Sequence, residues 1–153
     1  MTPIAEQTLL ALRAGIERLE QQAVHIRRTL SRVRVPPALD DPDDLDQYEA
    51  LTARFARLQD TLLGPFRLIA ILELEERKAE RVRDLLNYME KLGIIDAADE
   101  WAEMRRLRNA IAHEYWSNRE QLAEMFATVA SFSRKLLDTV TRLHQYATRF
   151  PQI

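Results

Sequence analysis

Residues 117–148 read SNREQLAEMFATVASFSRKLLDTVTRLHQYAT, and this stretch decides the fold. Its apolar and small residues recur at alternating steps of three and four, which places them on one face of an α-helix. Ser117 followed by Glu120 resembles a capping box, the pattern with which many helices begin. The stretch therefore predicts a long last helix with one continuous face to bury. That face consists of Leu122, Phe126, Val129, Ser133, Leu136, Val140, Leu143 and Ala147.

The same helical period extends through most of the chain toward its N-terminus. A first helix is expected to end at Val35-Pro36-Pro37, because proline lacks an amide donor and restrains the residue before it. A loop over residues 35–44 follows, with Asp44 as the N-cap of the second helix. The stripe of the first helix comprises Leu9, Leu12, Ile16, Leu19, Ala23, Ile26, Leu30 and Val33.

Three further boundaries complete the helical pattern. Gly64-Pro65 is expected to close the second helix, and a third is predicted from about residue 66 to residue 92, with Gly93 just beyond its end. Asp96 is the candidate cap of a fourth helix. Long amphipathic segments joined by short connections favour an all-α, antiparallel bundle of about five helices.

Composition limits the classes of protein to consider. The 153 residues give room for one helical domain over residues 1–153. A net charge of −2 provides no overall basic field, so nucleic-acid binding would require a local patch. The absence of cysteine excludes disulfides and thiolate chemistry. No apolar run approaches the ~18 residues of a membrane span and no signal peptide is visible, so we expect a cytoplasmic protein that does not bind membranes.

The apolar stripes are longer than a small bundle needs for its own core. Sustained heptad-like patterns often serve a subunit interface as well. We therefore expect a homodimer; the alternative is that a single chain buries all of the stripes internally.

Residues 108–115 read RNAIAHEY and bring a permanent cation, a titratable imidazole and a phenol close together. If the chain performs chemistry, this is where the sequence places it. The plainer interpretation is that polar residues on the outer face of a helix form only a solvated surface. Tyr115 and Trp116 are, on the same interpretation, the partly buried rim of the bundle.

A helical wheel separates the polar residues of this segment into two groups. Arg105, Asn109 and His113 form a stripe away from the expected core, whereas Arg108 and Tyr115 share a flank. Arg108 and His113 point about 140° apart on an ideal helix. They can meet only if the helix bends or ends near His113, if the arginine reaches round, or if a second subunit supplies one of them. The expected core side consists of Met104, Leu107 and Ile111.

The string Arg-Asn-x3-His-x-Tyr, near the end of a penultimate helix, resembles the motif of the HEPN superfamily and, more narrowly, of its HepT-type toxins. The match covers Arg108, Asn109, His113 and Tyr115 without departure. The helical pattern over residues 45–150 is compatible with that family, whereas the first helix and the Pro-Pro loop give no specific support. The resemblance implies a metal-independent endoribonuclease without a cofactor, in which two protomers line a shared cleft.

The chemistry of the side chains fits that implied activity. His113 can transfer protons, because an imidazole exists in both protonation states near neutral pH. Arg108 can bind two phosphate oxygens at once and stabilise negative charge in the transition state. Asn109 supports this pair by orienting the substrate or holding His113. Arg105 and Arg106 would extend the patch along the RNA backbone.

Tyr115 has a separate role that only the resemblance implies. In such systems the partner antitoxin, an MntA-like nucleotidyltransferase, places AMP on the tyrosine of the His-x-Tyr element. The added phosphate charge and bulk beside the cleft would exclude RNA.

Two other interpretations remain beside the nuclease. One is a non-catalytic HEPN-like subunit that binds a nucleotide or accompanies a nucleotidyltransferase, and the other is a purely structural dimerisation module. The intact Arg-x4-His spacing favours the nuclease, because a binding module has less need of a titratable group. Elsewhere, the acidic residues 40–46 are interpreted as a solvated loop with a helix cap, and the arginines of residues 27–34 as a second basic cluster that can touch RNA.

Overall fold

The protein is an all-α bundle in the computed structural model, which describes residues 1–114 and 118–151. Within those ranges it has five α-helices, one short 3-10 helix and no strand, which confirms the fold class. The helices are α1 (Pro3–Leu30), α2 (Pro42–Leu72), α3 (Val82–Lys91), α4 (Ala98–Glu114) and α5 (Arg119–Ala147), and the 3-10 turn (Glu76–Ala79) lies between α2 and α3.

Three long helices form the body of the bundle, and their directions follow from the contacts between them. Gln22 bonds Thr61 while Gly15 lies against Pro65, so α1 and α2 are antiparallel. Tyr48 stacks on Phe126 with ring centroids 5.3 Å apart, and Phe55 stacks on Phe132, so α2 and α5 run in the same direction. The stripes predicted for α1 and α5 lie in one shared core.

The connection between α1 and α2 differs from the prediction. The first helix ends at Leu30, before the prolines, and the loop therefore covers residues 31–41. The N-cap of α2 is Asp41, followed by Pro42 in the first helical turn, so the assignment of Asp44 as N-cap is wrong. Asp44 is instead buried, 3% exposed, and its carboxylate accepts the backbone N–H groups of Arg34 at 2.8 Å and Ala38 at 2.7 Å. Its charge organises the loop, since a buried carboxylate requires such donors.

The predicted end of the second helix at Gly64-Pro65 is also wrong, because α2 continues to Leu72. Proline within a helix costs about 3 kcal/mol or more. The apolar stripe continues on both sides of Pro65, however, and Leu62, Phe66 and Ile69 are completely buried. Their burial, at roughly 1.5–3 kcal/mol for each large apolar side chain, outweighs the lost hydrogen bond.

The region predicted as one helix over residues 66–92 is divided into three pieces. After α2 the chain turns at Leu74, whose φ of +62° breaks the helix, and α3 begins only at Val82. Gly93 lies beyond α3 with a φ of +78°, as its predicted position requires. Asp96 does not cap the next helix: the backbone N–H of Ala98 donates to Glu90 Oε1 at 2.8 Å.

The start of α5 was assigned to Ser117, which lies outside the described residues. The side chain of Asn118 caps this helix by accepting the N–H of Gln121 at 3.1 Å. Among the described residues, no helix is long and apolar enough to cross a membrane.

Candidate functional site

The two faces of α4 divide as the helical wheel predicts. Met104 and Ile111 of the predicted core side are buried at 5% exposure or less, whereas Leu107 is only partly buried against the core. Trp101 is buried as well. Arg105, Asn109 and His113 are all exposed on the outer side of the helix. Arg106 is exposed as well, so both candidate RNA-binding arginines are accessible to a polyanion.

Arg108 does not extend into solvent but turns toward α2. Its Nη1 and Nη2 atoms donate to the two carboxylate oxygens of Asp60, at 2.9 and 3.1 Å. Nη1 also donates to Oε1 of Gln59 at 3.1 Å. The Arg108 side chain is 21% exposed, compared with 54% for Asp60, so the pair lies at the rim of the bundle with the arginine on its inner side.

Gln59 connects this ion pair to the core. It is 1% exposed, and its Nε2 donates to the backbone oxygen of Trp101 at 3.0 Å. The amide is thereby oriented so that its oxygen faces Arg108. Because a buried amide is costly to leave without partners, Gln59 fixes the position of the guanidinium relative to α2 and α4.

The electrostatics of the pair hold Asp60 in its ionised form. The hydrogen bonds from Arg108 lower the pKa of the Asp60 carboxyl, and the charges of Arg108 and Arg105 act in the same direction. Partial burial opposes this shift but is the weaker effect, since both arginines are permanently charged.

One edge of the Arg108 guanidinium has no hydrogen-bond acceptor among the described residues. An arginine carries five N–H donors, and the bonds to Asp60 and Gln59 use both hydrogens of Nη1 and one of Nη2. The N–H of Nε and the second hydrogen of Nη2 lie side by side. Within residues 1–114 and 118–151 no acceptor is bonded to them. This edge has the spacing that binds two oxygens of a phosphate.

Arg108 and His113 are not brought together within one chain. Helix α4 continues through both residues to Glu114, and the described contacts include no hydrogen bond between them. Arg108 is directed toward α2, whereas the imidazole is exposed in the last turn. The ion pair with Asp60 argues against the route in which Arg108 reaches round its own helix. Tyr115, the predicted modification site, lies outside the described residues.

Asp60 and Gln59 are the site residues that the sequence does not reveal. They precede Arg108 by 48 and 49 residues, and no motif links them to it. The only signal is Gln59 itself, which follows Leu58 on the inner face of α2, where an amide has to find partners.

The acidic segment at residues 40–46 supplies a helix cap, but the cap is Asp41, and Asp44 is buried where a solvated loop is predicted. Asp41 caps α2, Asp44 holds the loop, and Asp40 pairs with Arg119 at 3.2 Å. In the described part of the chain, no group of three or more carboxylate or imidazole side chains is placed to hold a metal ion.

A scan of the chain against models of known protein families gives no match. Searches among curated proteins and among solved structures give no match either. The HEPN resemblance therefore stays a prediction based on the motif of α4.

Proposed function

We propose that this protein is a HEPN-type, metal-independent endoribonuclease toxin whose catalytic residues are Arg108 and His113. The proposal rests on the way in which the guanidinium of Arg108 is held. Its guanidinium is held by Asp60 and Gln59, and its edge of two N–H donors has no acceptor in residues 1–114 and 118–151. A fixed cation with such an edge is suited to stabilising a phosphate that gains negative charge.

The reaction needs no group beyond the RNA, these side chains and water. His113 removes the proton of a ribose 2′-hydroxyl, whose oxygen attacks the adjacent phosphorus. The bond to the 5′-oxygen breaks, that oxygen takes up a proton from water, and His113 releases the proton it has taken to the solvent. The products are a 2′,3′-cyclic phosphate and a 5′-hydroxyl. Arg108 neutralises the equatorial oxygens while Asn109, Arg105 and Arg106 position the strand.

In this proposal, a homodimer brings Arg108 of one protomer close to His113 of the other. The exposed imidazole of one protomer would approach the free guanidinium edge of the other, so that each cleft contains residues from both chains. The separate directions of Arg108 and His113 on α4 support this arrangement.

Regulation by a partner belongs to the same proposal. A cognate MntA-like nucleotidyltransferase antitoxin would transfer AMP to Tyr115 and close the cleft to RNA. Co-expression with such a partner should add increments of AMP to the intact mass, and Tyr115→Phe should remove them. Equal increments on the Tyr115→Phe variant would disprove this assignment.

The catalytic assignment is tested by incubating RNA with purified protein in EDTA. The wild type and an Arg77→Ala control, which removes a charge far from α4, should cleave at similar rates. Arg108→Ala and His113→Ala should each lose about a hundredfold or more in rate. Arg108→Lys keeps the charge but loses the two-donor edge, so most of the activity should be lost. Equal cleavage by all variants, or none by the wild type at high concentration, would rule out the nuclease.

A non-catalytic RNA- or nucleotide-binding subunit is the second candidate. The ion pair with Asp60 favours it, because a compensated arginine attracts a phosphate less strongly than a free one. The two candidates differ in the same assay: the non-catalytic subunit would bind RNA in an Arg108-dependent manner and leave it intact.

A further inference from the structure

A recess between α1 and α2 combines positive charge with an unpartnered hydrogen-bond acceptor. It has a volume of about 240 Å³ and is lined by Gln22, His25, Arg54 and Arg57. No carboxylate is among these lining residues. The groove between α1 and α5 differs, since Glu17 and Glu20 line it and would repel a polyanion.

The two arginines of this α1–α2 recess keep an uncompensated charge. Arg54 donates to the hydroxyl of Thr29, which in turn donates to the backbone oxygen of His25 at 2.9 Å. The guanidinium is thus fixed by a neutral group. Neither Arg54 nor Arg57 forms a salt bridge to any carboxylate of the described residues. Positive charges held this way attract an anion, because no internal partner has to be displaced.

Gln22 provides a different kind of contact. Its Nε2 donates to the Thr61 hydroxyl at 3.1 Å, and that hydroxyl donates to the backbone oxygen of Arg57 at 2.8 Å. This chain of bonds fixes the amide orientation and leaves Oε1 of Gln22 buried, with no hydrogen-bond partner in the part of the chain that the structure describes. A buried acceptor without a donor costs about 1–3 kcal/mol, which a ligand hydroxyl at this position would recover.

The recess and the candidate active site share helix α2. Arg57 precedes Asp60 by three residues on α2, which is less than one helical turn of about 5.4 Å. Asp60 in turn holds Arg108 and lies within electrostatic reach of Arg105. Because Arg108 and Arg105 compensate the charge of Asp60, an RNA strand bound at Arg108 can pass this carboxylate and continue to the recess.

We propose that the α1–α2 recess binds one phosphate and its ribose in the RNA strand beside the cleavage site. The arginines would hold the phosphate oxygens, and Oε1 of Gln22 would accept the 2′-hydroxyl. The inference rests on the proposed function for its choice of RNA, and it adds a binding subsite that prefers RNA to DNA.

Fluorescence anisotropy tests this subsite separately from cleavage. A labelled single-stranded RNA of mixed sequence and its DNA counterpart are titrated in EDTA on a His113→Ala background. Arg57→Gln should weaken RNA binding about tenfold and reduce the salt slope by about one. The matched control Arg77→Gln, which removes the same charge beside Glu75 and Glu76, should change neither quantity. Gln22→Leu should lower the affinity for RNA to that for DNA.

The outcomes separate the two proposals. Equal RNA affinity of Arg57→Gln and Arg77→Gln, with RNA still cleaved by the wild type, overturns the subsite and leaves the nuclease. Arg57-dependent binding without cleavage supports the subsite and rejects the nuclease. Binding of free adenosine monophosphate in an Arg57-dependent manner, with no binding of RNA, overturns the strand assignment.

Discussion

The Arg108–Asp60 pair is the most informative contact at the scale of single residues. It turns an arginine that the wheel leaves on a flank into a fixed donor at the rim of the bundle. Gln59 anchors this donor to the core, because its amide also donates to the backbone oxygen of Trp101. The positive charge is thereby oriented before any ligand arrives, which is the condition under which electrostatic stabilisation is most effective.

The Asp60→Asn substitution should make the free energy of unfolding less sensitive to pH in the acid range. The Asp60 pKa is lowered in the folded state, so the pair stabilises the fold above the unfolded-state pKa and loses that contribution as pH falls through the folded value. At pH 7 the variant should lose about 0.5–1 kcal/mol, a modest amount because solvent screens the half-exposed pair.

Urea unfolding at several pH values between 7 and 3 measures this difference. The gap between the wild type and Asp60→Asn should shrink toward the acid end. The control is Asp46→Asn, an exposed aspartate in α2 without a salt bridge among the described residues. A gap that stays constant or widens as pH falls would contradict the assigned ion pair.

At the scale of elements, α2 continues through Pro65 and carries the site residues on the segment before the proline. The uninterrupted helix from Pro42 to Leu72 carries Gln59 and Asp60 on the segment that packs against α4. Close packing with α1 accommodates the proline, because a Cβ at Gly15 would lie only 3.1 Å from Cγ of Pro65. A methyl group at Gly15 would require Pro65 to move by a few tenths of an ångström.

Gly64→Ala tests whether α2 is continuous. In a helix interior with no heavy atom within 4 Å of the added Cβ, alanine should stabilise the protein by about 0.5–1 kcal/mol. Gly93→Ala should have the opposite sign and destabilise by about 1–2 kcal/mol, because its φ is +78°. Thermal unfolding of both variants measures whether each substitution raises or lowers the stability of the protein. A loss of stability for Gly64→Ala would indicate that the helix ends at residue 64.

The sequence predicts the long helices well and their boundaries poorly, for a physical reason. The periodicity predicts the buried faces of α1 and α5 directly, because residues on one face of a helix recur at steps of three and four. The end of α2 depends on whether burial of Phe66 and Ile69 outweighs the cost of Pro65, a balance that local rules do not contain. The sequence does not predict the Arg108–Asp60 contact either, because the two residues lie on different helices and meet only after α2 and α4 pack.

At the scale of the whole molecule, one chain holds both proposed catalytic groups but directs them apart. Arg108 is fixed against α2, and His113 is exposed in the last turn of α4. A symmetric dimer would repeat each group in both subunits and pair the arginine of one with the histidine of the other.

Mixing two inactive variants tests that arrangement. Arg108→Ala and His113→Ala protein, co-refolded in equal amounts, should recover about a quarter of the wild-type activity. The reason is that half of the dimers are mixed and each mixed dimer contains one intact site of two. The unmixed variants treated in the same way are the control. Absence of any recovery would place both residues of each site in one chain.

The proposed chemistry is tested by the ends of the cleaved RNA. Wild-type protein in EDTA should convert RNA into fragments with 5′-hydroxyl and 2′,3′-cyclic phosphate ends and leave DNA of the same sequence intact, because only RNA supplies the attacking 2′-hydroxyl. The His113→Ala variant should leave both substrates intact. Fragments with 5′-phosphate ends, equal cleavage of DNA, or undiminished cleavage by His113→Ala would contradict a nuclease built on Arg108 and His113.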